Sequence, residues 1–134
     1  MGPRVLWNVG TAATFALTLA ACGGSSSPAS PSGNTGNTGT IAATITITST
    51  GVSPKTVTVA PGSRVTFTNN DSRNHEMNSD PHPTHGDCPG LDQVGFLAPG
   101  QSKTSGNLNT ARACGFHDHL NDSNTSLQGT IVVQ

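Results

Sequence analysis

The sequence predicts an all-β sandwich. Ile41, Ala43, Ile45 and Ile47 alternate with Ala42, Thr44, Thr46 and Thr48, the period of two that marks a half-buried strand. Two Ala-Pro-Gly triplets, at 60–62 and 98–100, punctuate the chain as turns, because Pro presets φ and Gly accepts a positive φ. The chain also holds 16 glycines and 9 prolines against 10% charged residues, with no long apolar run of helical period, so strands and turns are favoured over helices.

Taken in order, Ile41 to Thr48 is the first strand, and Gly51 to Pro54 breaks it. Val57 and Val59 alternate with Thr56 and Thr58 in a second strand. After the first Ala-Pro-Gly turn, Val65 and Phe67 alternate with Arg64, Thr66 and Thr68 in a third, which Asn69-Asn70-Asp71 ends. Asn69 to Pro89 then has no clear period, and a loop of that length in a small domain is usually functional or disordered. Val94, Phe96 and Leu97 form a short apolar patch before the second turn. Gln101 to Asn109 reads as a weak polar strand around Leu108, Thr110 to Cys114 as a further strand, and Gly129 to Val133 as the last.

Three segments follow from composition. Residues 1–21 read as an export signal, with Arg4 before a mostly apolar run that ends in small residues. Leu19-Ala20-Ala21-Cys22 resembles a bacterial lipobox, which implies cleavage before Cys22 and acylation of its thiol. Residues 22–40 are a flexible Gly/Ser/Pro linker with nothing to bury, and Gly23 to Thr40 would span on the order of 25 Å. Residues 41–134 form the folded domain. The expected location is therefore the cell envelope, outside the cytoplasm and tethered to a membrane by lipid.

Composition also excludes functions. The formal net charge is −1 and the basic residues are scattered, so no stripe exists to hold a phosphate backbone, and nucleic acid is not an expected partner. No Gly-x-Ser-x-Gly elbow is present, and adjacent residues such as His117-Asp118 do not make a catalytic relay, so the chain is not read as an enzyme.

The chemistry gathers in Cys114-Gly115-Phe116-His117-Asp118-His119-Leu120, a thiol and two imidazoles within six residues. Thiolate and imidazole are ligands of copper and zinc. Cys114 and His117 would share one tight loop, and a further imidazole, His75, stands about forty residues earlier. All five histidines lie between residues 75 and 119, so His82 and His85, in Asp80-Pro81-His82-Pro83-Thr84-His85, are either loop residues or additional donors. Cys88 and Cys114 are the two cysteines of the folded part, and a disulfide between them competes with a thiolate role for Cys114. In that case the histidines would form an all-nitrogen copper or zinc site, or no site.

Thr56-Val57-Thr58-Val59, Pro61-Gly62, Val65-Thr66-Phe67-Thr68-Asn69 and His75 resemble the first half of a cupredoxin. Leu97-Ala98-Pro99-Gly100-Gln101-Ser102 followed by Cys114-Gly115-Phe116-His117 resembles the second half. The resemblance implies a Greek-key sandwich of cupredoxin type, like plastocyanin or azurin, with bound copper and one-electron transfer to a protein partner. Carried over, it implies His75, Cys114 and His117 as ligands, with His119 as the alternative second imidazole. Asn69, Asn74 and Asp118 are candidates to hold the ligating rings. The family's weak axial Met is missing from the ligand loop, with Leu120 in its place and Met77 the one Met of the mature chain. With Leu120 facing the metal, the reduction potential would be raised. The other reading is a copper-storage or delivery protein without a redox role, exchanging the metal with a donor or acceptor protein. The third is a metal-free, disulfide-closed interaction domain.

Overall fold

Alternating β-branched and apolar residues pair into two sheets in the computed structural model, which describes residues 38–134. The leader, Cys22 and most of the linker lie outside the described residues. Nine strands follow in order: β1 (Ile41–Thr48), β2 (Gly51–Ser53), β3 (Thr56–Val59), β4 (Arg64–Asn69), β5 (His75–Ser79), β6 (Gly95–Leu97), β7 (Ser102–Thr104), β8 (Arg112–Asp118) and β9 (Gly129–Val133). Short 3₁₀ turns occupy Leu91–Gln93, His119–Asn121 and Thr125–Leu127.

One sheet has the order β2-β1-β4-β7 and the other β3-β9-β8-β5-β6. The β1/β4 and β3/β9 pairs are parallel, and β8 lies antiparallel between β9 and β5. The facing surfaces meet over Ile45, Ile47, Val65 and Phe67 from one sheet and Met77, Leu97, Phe116 and Ile131 from the other. Phe67 and Phe116 meet edge to face with ring centroids 5.2 Å apart, a favoured aromatic geometry.

Both Ala-Pro-Gly turns form as expected. Ser63 N–H donates to Ala60 O and Gln101 N–H to Ala98 O, with Gly62 at φ 84° and Gly100 at φ 78°.

Four elements differ from expectation, the first being the strand expected over Gln101 to Asn109, which is confined to Ser102–Thr104, with Leu108 in an isolated bridge to Ser63. Gly51 to Ser53 pairs with the end of β1 as β2 instead of only breaking it. His75 to Ser79, expected inside a loop, is a strand between β6 and β8. Arg112 to Asp118 is one continuous strand, so Cys114 and His117 stand on its body and not on a tight loop. Side chains alternate across a strand, and residues three apart point to opposite faces. Cys114 and Phe116 therefore join the core, while Gly115 and His117 take the other face of β8.

Candidate metal centre

Strand β8 ends near His75, but the contact there is with Asp118 and not with Cys114. His75 is buried, its Nδ1 lies 2.9 Å from Asp118 Oδ2, and its Nε2 lies 3.2 Å from Asp71 Oδ2. Both ring nitrogens face carboxylate acceptors, so neither presents a free lone pair to a metal. Asp118 also accepts from the backbone N–H of Glu76 and of Leu120 through Oδ1. It thus pins the start of β5 to the turn after β8. Burial alone would raise the Asp71 carboxyl, but hydrogen bonds from Arg73, the Ser72 N–H and His75 more than offset this and hold it below its ordinary value.

The expected thiolate is absent from this arrangement. Cys114 is bonded to Cys88, with the two Cα atoms 5.9 Å apart. A sulfur in a disulfide is not a thiolate ligand. Asp118 is also four residue steps beyond Cys114, about 13 Å along β8. The ligand set His75, Cys114 and His117 is therefore not assembled, and the disulfide alternative is the one observed. Leu120 is 52% exposed on the surface turn, and Met77 is fully buried in the core.

A different group comes together instead. One ligand atom from each of His82, His85, His117 and His119 lies within 4.8 Å of the others. His117 projects from β8 and His119 from the turn that follows, while the segment after β5 carries His82 and His85 across them. His85 stacks on His117 with centroids 5.1 Å apart, and His82 lies 4.9 Å from His119. The segment contains cis peptide bonds at Asp80-Pro81 and His82-Pro83, and His85 adopts φ 48°.

Hydrogen bonds fix which nitrogens face inward. His117 Nδ1 lies 2.7 Å from Asp80 Oδ1. A carboxylate only accepts, so Nδ1 carries the hydrogen and the neutral ring keeps a bare lone pair on Nε2. That Nε2 is buried and has no hydrogen-bond partner. Such an atom costs about 1–3 kcal/mol if left unsatisfied, a cost that a bound cation removes. His85 Nδ1 lies 2.9 Å from the Ser79 carbonyl, which likewise leaves its Nε2 as the acceptor. His85 Nε2 is 2.9 Å from His119 Nδ1, close to the roughly 3 Å that separates neighbouring nitrogens around one ion with metal–nitrogen bonds near 2 Å.

The donor set therefore suits a borderline transition metal. Four neutral imidazoles bind copper, zinc or nickel, and they are poor hosts for calcium or magnesium, which prefer oxygen. Asp80 supplies the carboxylate partner that ligating histidines usually have. Gly115 makes room for it: a Cβ at Gly115 would collide with the Asp80 carboxylate.

Sequence reasoning named His117 and His119 and left His82 and His85 open. Asp80 was missed as a partner, although its place one residue from the His-Pro segment was the available signal. Of the residues proposed to orient the ligands, Asp118 holds His75, and Asn69 organises the loop through bonds to Arg73 O, Leu97 O and the Asp71 N–H.

Two sheets packed in this way, with donors at the end of one sheet, define a cupredoxin-like β-sandwich. The particular likenesses are to solved structures. A purple cupredoxin from Nitrosopumilus maritimus superposes with a TM-score of 0.56 at 20% identity, covering 69% of this chain and 99% of that one. Plastocyanin from Dryopteris crassirhizoma gives 0.53 at 20% identity, covering 68% and 99%. A reduced amicyanin variant gives 0.53 at 16% identity, covering 72% and 83%. No protein-family model matches the chain. No curated protein sequence matches it either.

Proposed function

We propose that this domain binds copper through His82, His85, His117 and His119 outside the cytoplasm, and that it holds or delivers the ion instead of catalysing a reaction. The observation that carries the reading is His117 Nε2, a buried lone pair without a hydrogen-bond partner that belongs to a cluster of four imidazoles. Copper is favoured over zinc on two grounds. Divalent copper stands above zinc in affinity for a nitrogen donor set, and one of the amicyanins similar in fold is a Cu(I) form. Bound there, copper would supply a Lewis-acidic centre able to change oxidation state by one electron.

His117 and His85 would present Nε2 to the ion, each held by the acceptor on its Nδ1. His82, more exposed than the others, would complete the set from the solvent side. The Cys88–Cys114 disulfide fits an oxidising compartment. Together with the lipobox-like Leu19-Ala20-Ala21-Cys22, it supports an envelope protein acylated at Cys22 and tethered through the linker. Mass spectrometry of the membrane-extracted protein tests the tether, which requires the diacylglycerol mass on Cys22.

Titration with Cu(II) against a competing chelator tests the site. One copper per chain is expected, with at least a tenfold loss of affinity in His117→Ala. Equal affinity of the two proteins would remove the assignment.

Electron transfer is a second reading, favoured by the likeness of fold to plastocyanin and amicyanin. It requires a reversible one-electron wave from the copper-loaded protein in voltammetry. An irreversible response, or loss of the ion on reduction, leaves storage or delivery.

A further inference from the structure

The four histidines come from two segments, and what joins those segments decides whether the site exists. His82 and His85 ride on the stretch after β5, and His117 and His119 belong to β8 and the turn beyond it. Between residues 81 and 90, Pro81, His82, Pro83, Thr84, Gly86, Asp87 and Pro89 are exposed, and Cys88 is the one buried residue. The stretch has almost no apolar surface of its own with which to dock. Outside the histidine rings its ties to β8 are few: Asp80 N–H donates to Gly115 O at 3.0 Å, His117 Nδ1 donates to Asp80 Oδ1, the exposed Arg112 lies 3.8 Å from Asp87 Oδ1, and Cys88 is bonded to Cys114, the one covalent tie. Cys88 stands three residues after His85, and Cys114 three residues before His117. The covalent bond therefore links the two histidine-bearing segments close to the site itself.

We propose that the Cys88–Cys114 disulfide is a redox-sensitive clamp on the metal site. Oxidised, it holds His85 and His82 over His117 and His119 so that all four donors converge. Reduced, it frees the exposed segment, and the site keeps only the two histidines of β8 and its following turn. The clamp deepens the four-histidine reading and rests on it. A cavity of about 160 Å³ is lined by Cys88 and Cys114 with Asp87 and Arg112, the side from which a small thiol would reach the buried bond. In the reduction, two thiols of the glutathione type each give one electron and one proton. The sulfur–sulfur bond breaks, Cys88 and Cys114 each take a proton, and glutathione disulfide leaves.

Zinc is the probe, because it does not itself change oxidation state. Its affinity is measured by chelator competition in the oxidised protein and in Cys88→Ser/Cys114→Ser, with amide exchange in β8 and β9 as the check on folding. We expect at least a tenfold weaker affinity in the double variant and faster exchange confined to residues 80–90. Equal affinity in a folded variant overturns the clamp.

If the double variant does not fold, the protein itself gives the same answer through linkage. Whatever factor the bond adds to zinc affinity, zinc must add to the stability of the bond. In a glutathione redox buffer, excess zinc should shift the equilibrium at least tenfold toward the disulfide. No shift, or a shift toward the dithiol, overturns the proposal. Failure of the underlying reading looks different: the oxidised protein would take up no zinc, and His117→Ala would change nothing. Failure of the clamp alone leaves zinc bound equally well with and without the disulfide.

Discussion

His117 donates from Nδ1 to Asp80 Oδ1 across 2.7 Å, and this contact turns its other nitrogen toward the imidazole cluster. The carboxylate sets the tautomer and orients the ring. Asp80 itself is about half exposed, so its removal leaves the core intact. Asp80→Ala should weaken copper affinity about 10–100-fold, the usual size of such an effect. Asp80→Asn keeps an acceptor oxygen and should lose less. Chelator competition measures both, and unchanged affinity in Asp80→Ala would show that the contact is incidental.

Gly115 is the counterpart of that contact on β8. A methyl group there meets the Asp80 carboxylate at a distance no pair of atoms tolerates. Gly115→Ala should displace Asp80 with little loss of stability, because that side chain is half exposed, and lower copper affinity as Asp80→Ala does. Gly86→Ala is the control, because nothing lies within 4 Å of a Cβ at that position. Copper titrations of the two variants should diverge while their denaturant melts stay close.

His75 separates this site from the one that the sequence suggested. It sits between Asp71 and Asp118 and makes no part of the four-histidine group. His75→Gln should therefore destabilise the domain by about 1–3 kcal/mol, because buried carboxylates lose a hydrogen-bond partner. The copper stoichiometry should stay at one. Loss of copper uptake in a folded His75→Gln would return His75 to the ligand set.

Asp71 predicts an acid limit to stability. Its carboxyl is held below the ordinary value of 3.8, chiefly by Arg73 against the opposing effect of burial. A depressed carboxylate stabilises the fold above its unfolded pKa, and that contribution fades as pH falls through the lower folded value. Stability should thus drop below about pH 4, the ordinary Asp range. In Arg73→Ala the folded value moves back toward the unfolded one, so this acid-dependent loss should be smaller. Thermal melts between pH 2 and pH 6, about two units either side of that range, check the sign. An identical profile in Arg73→Ala would contradict it.

Much of the fold was legible because β1, β3, β4 and β9 carry apolar residues at alternate positions, and both Ala-Pro-Gly turns carry their own chemistry. Strand β5 was not, since His75-Glu76-Met77-Asn78-Ser79 has no apolar alternation. Its polar residues are buried by pairing instead: Ser79 N–H and Oγ both donate to Asp92, and His75 meets Asp118. Hydrophobic periodicity is blind to a strand whose buried side chains are satisfied by hydrogen bonds. The histidine cluster was half legible for a related reason. Gly115 and His117 look like loop residues, yet they lie within β8, and that register puts Cys114 and His117 on opposite faces. The partnership of His117 with His82 and His85 depends on how residues 80–90 fold back, which local pattern does not encode.

The most direct test is the spectrum of the copper-loaded protein, recorded with a thiol count and paired with His117→Ala. Four imidazoles and a closed disulfide predict one Cu(II) per chain, nitrogen couplings in the paramagnetic resonance, no free thiol in the folded domain and no intense blue band, with binding weakened in the variant. An intense blue absorption with a free Cys114 thiol would contradict the account and restore a thiolate-ligated centre.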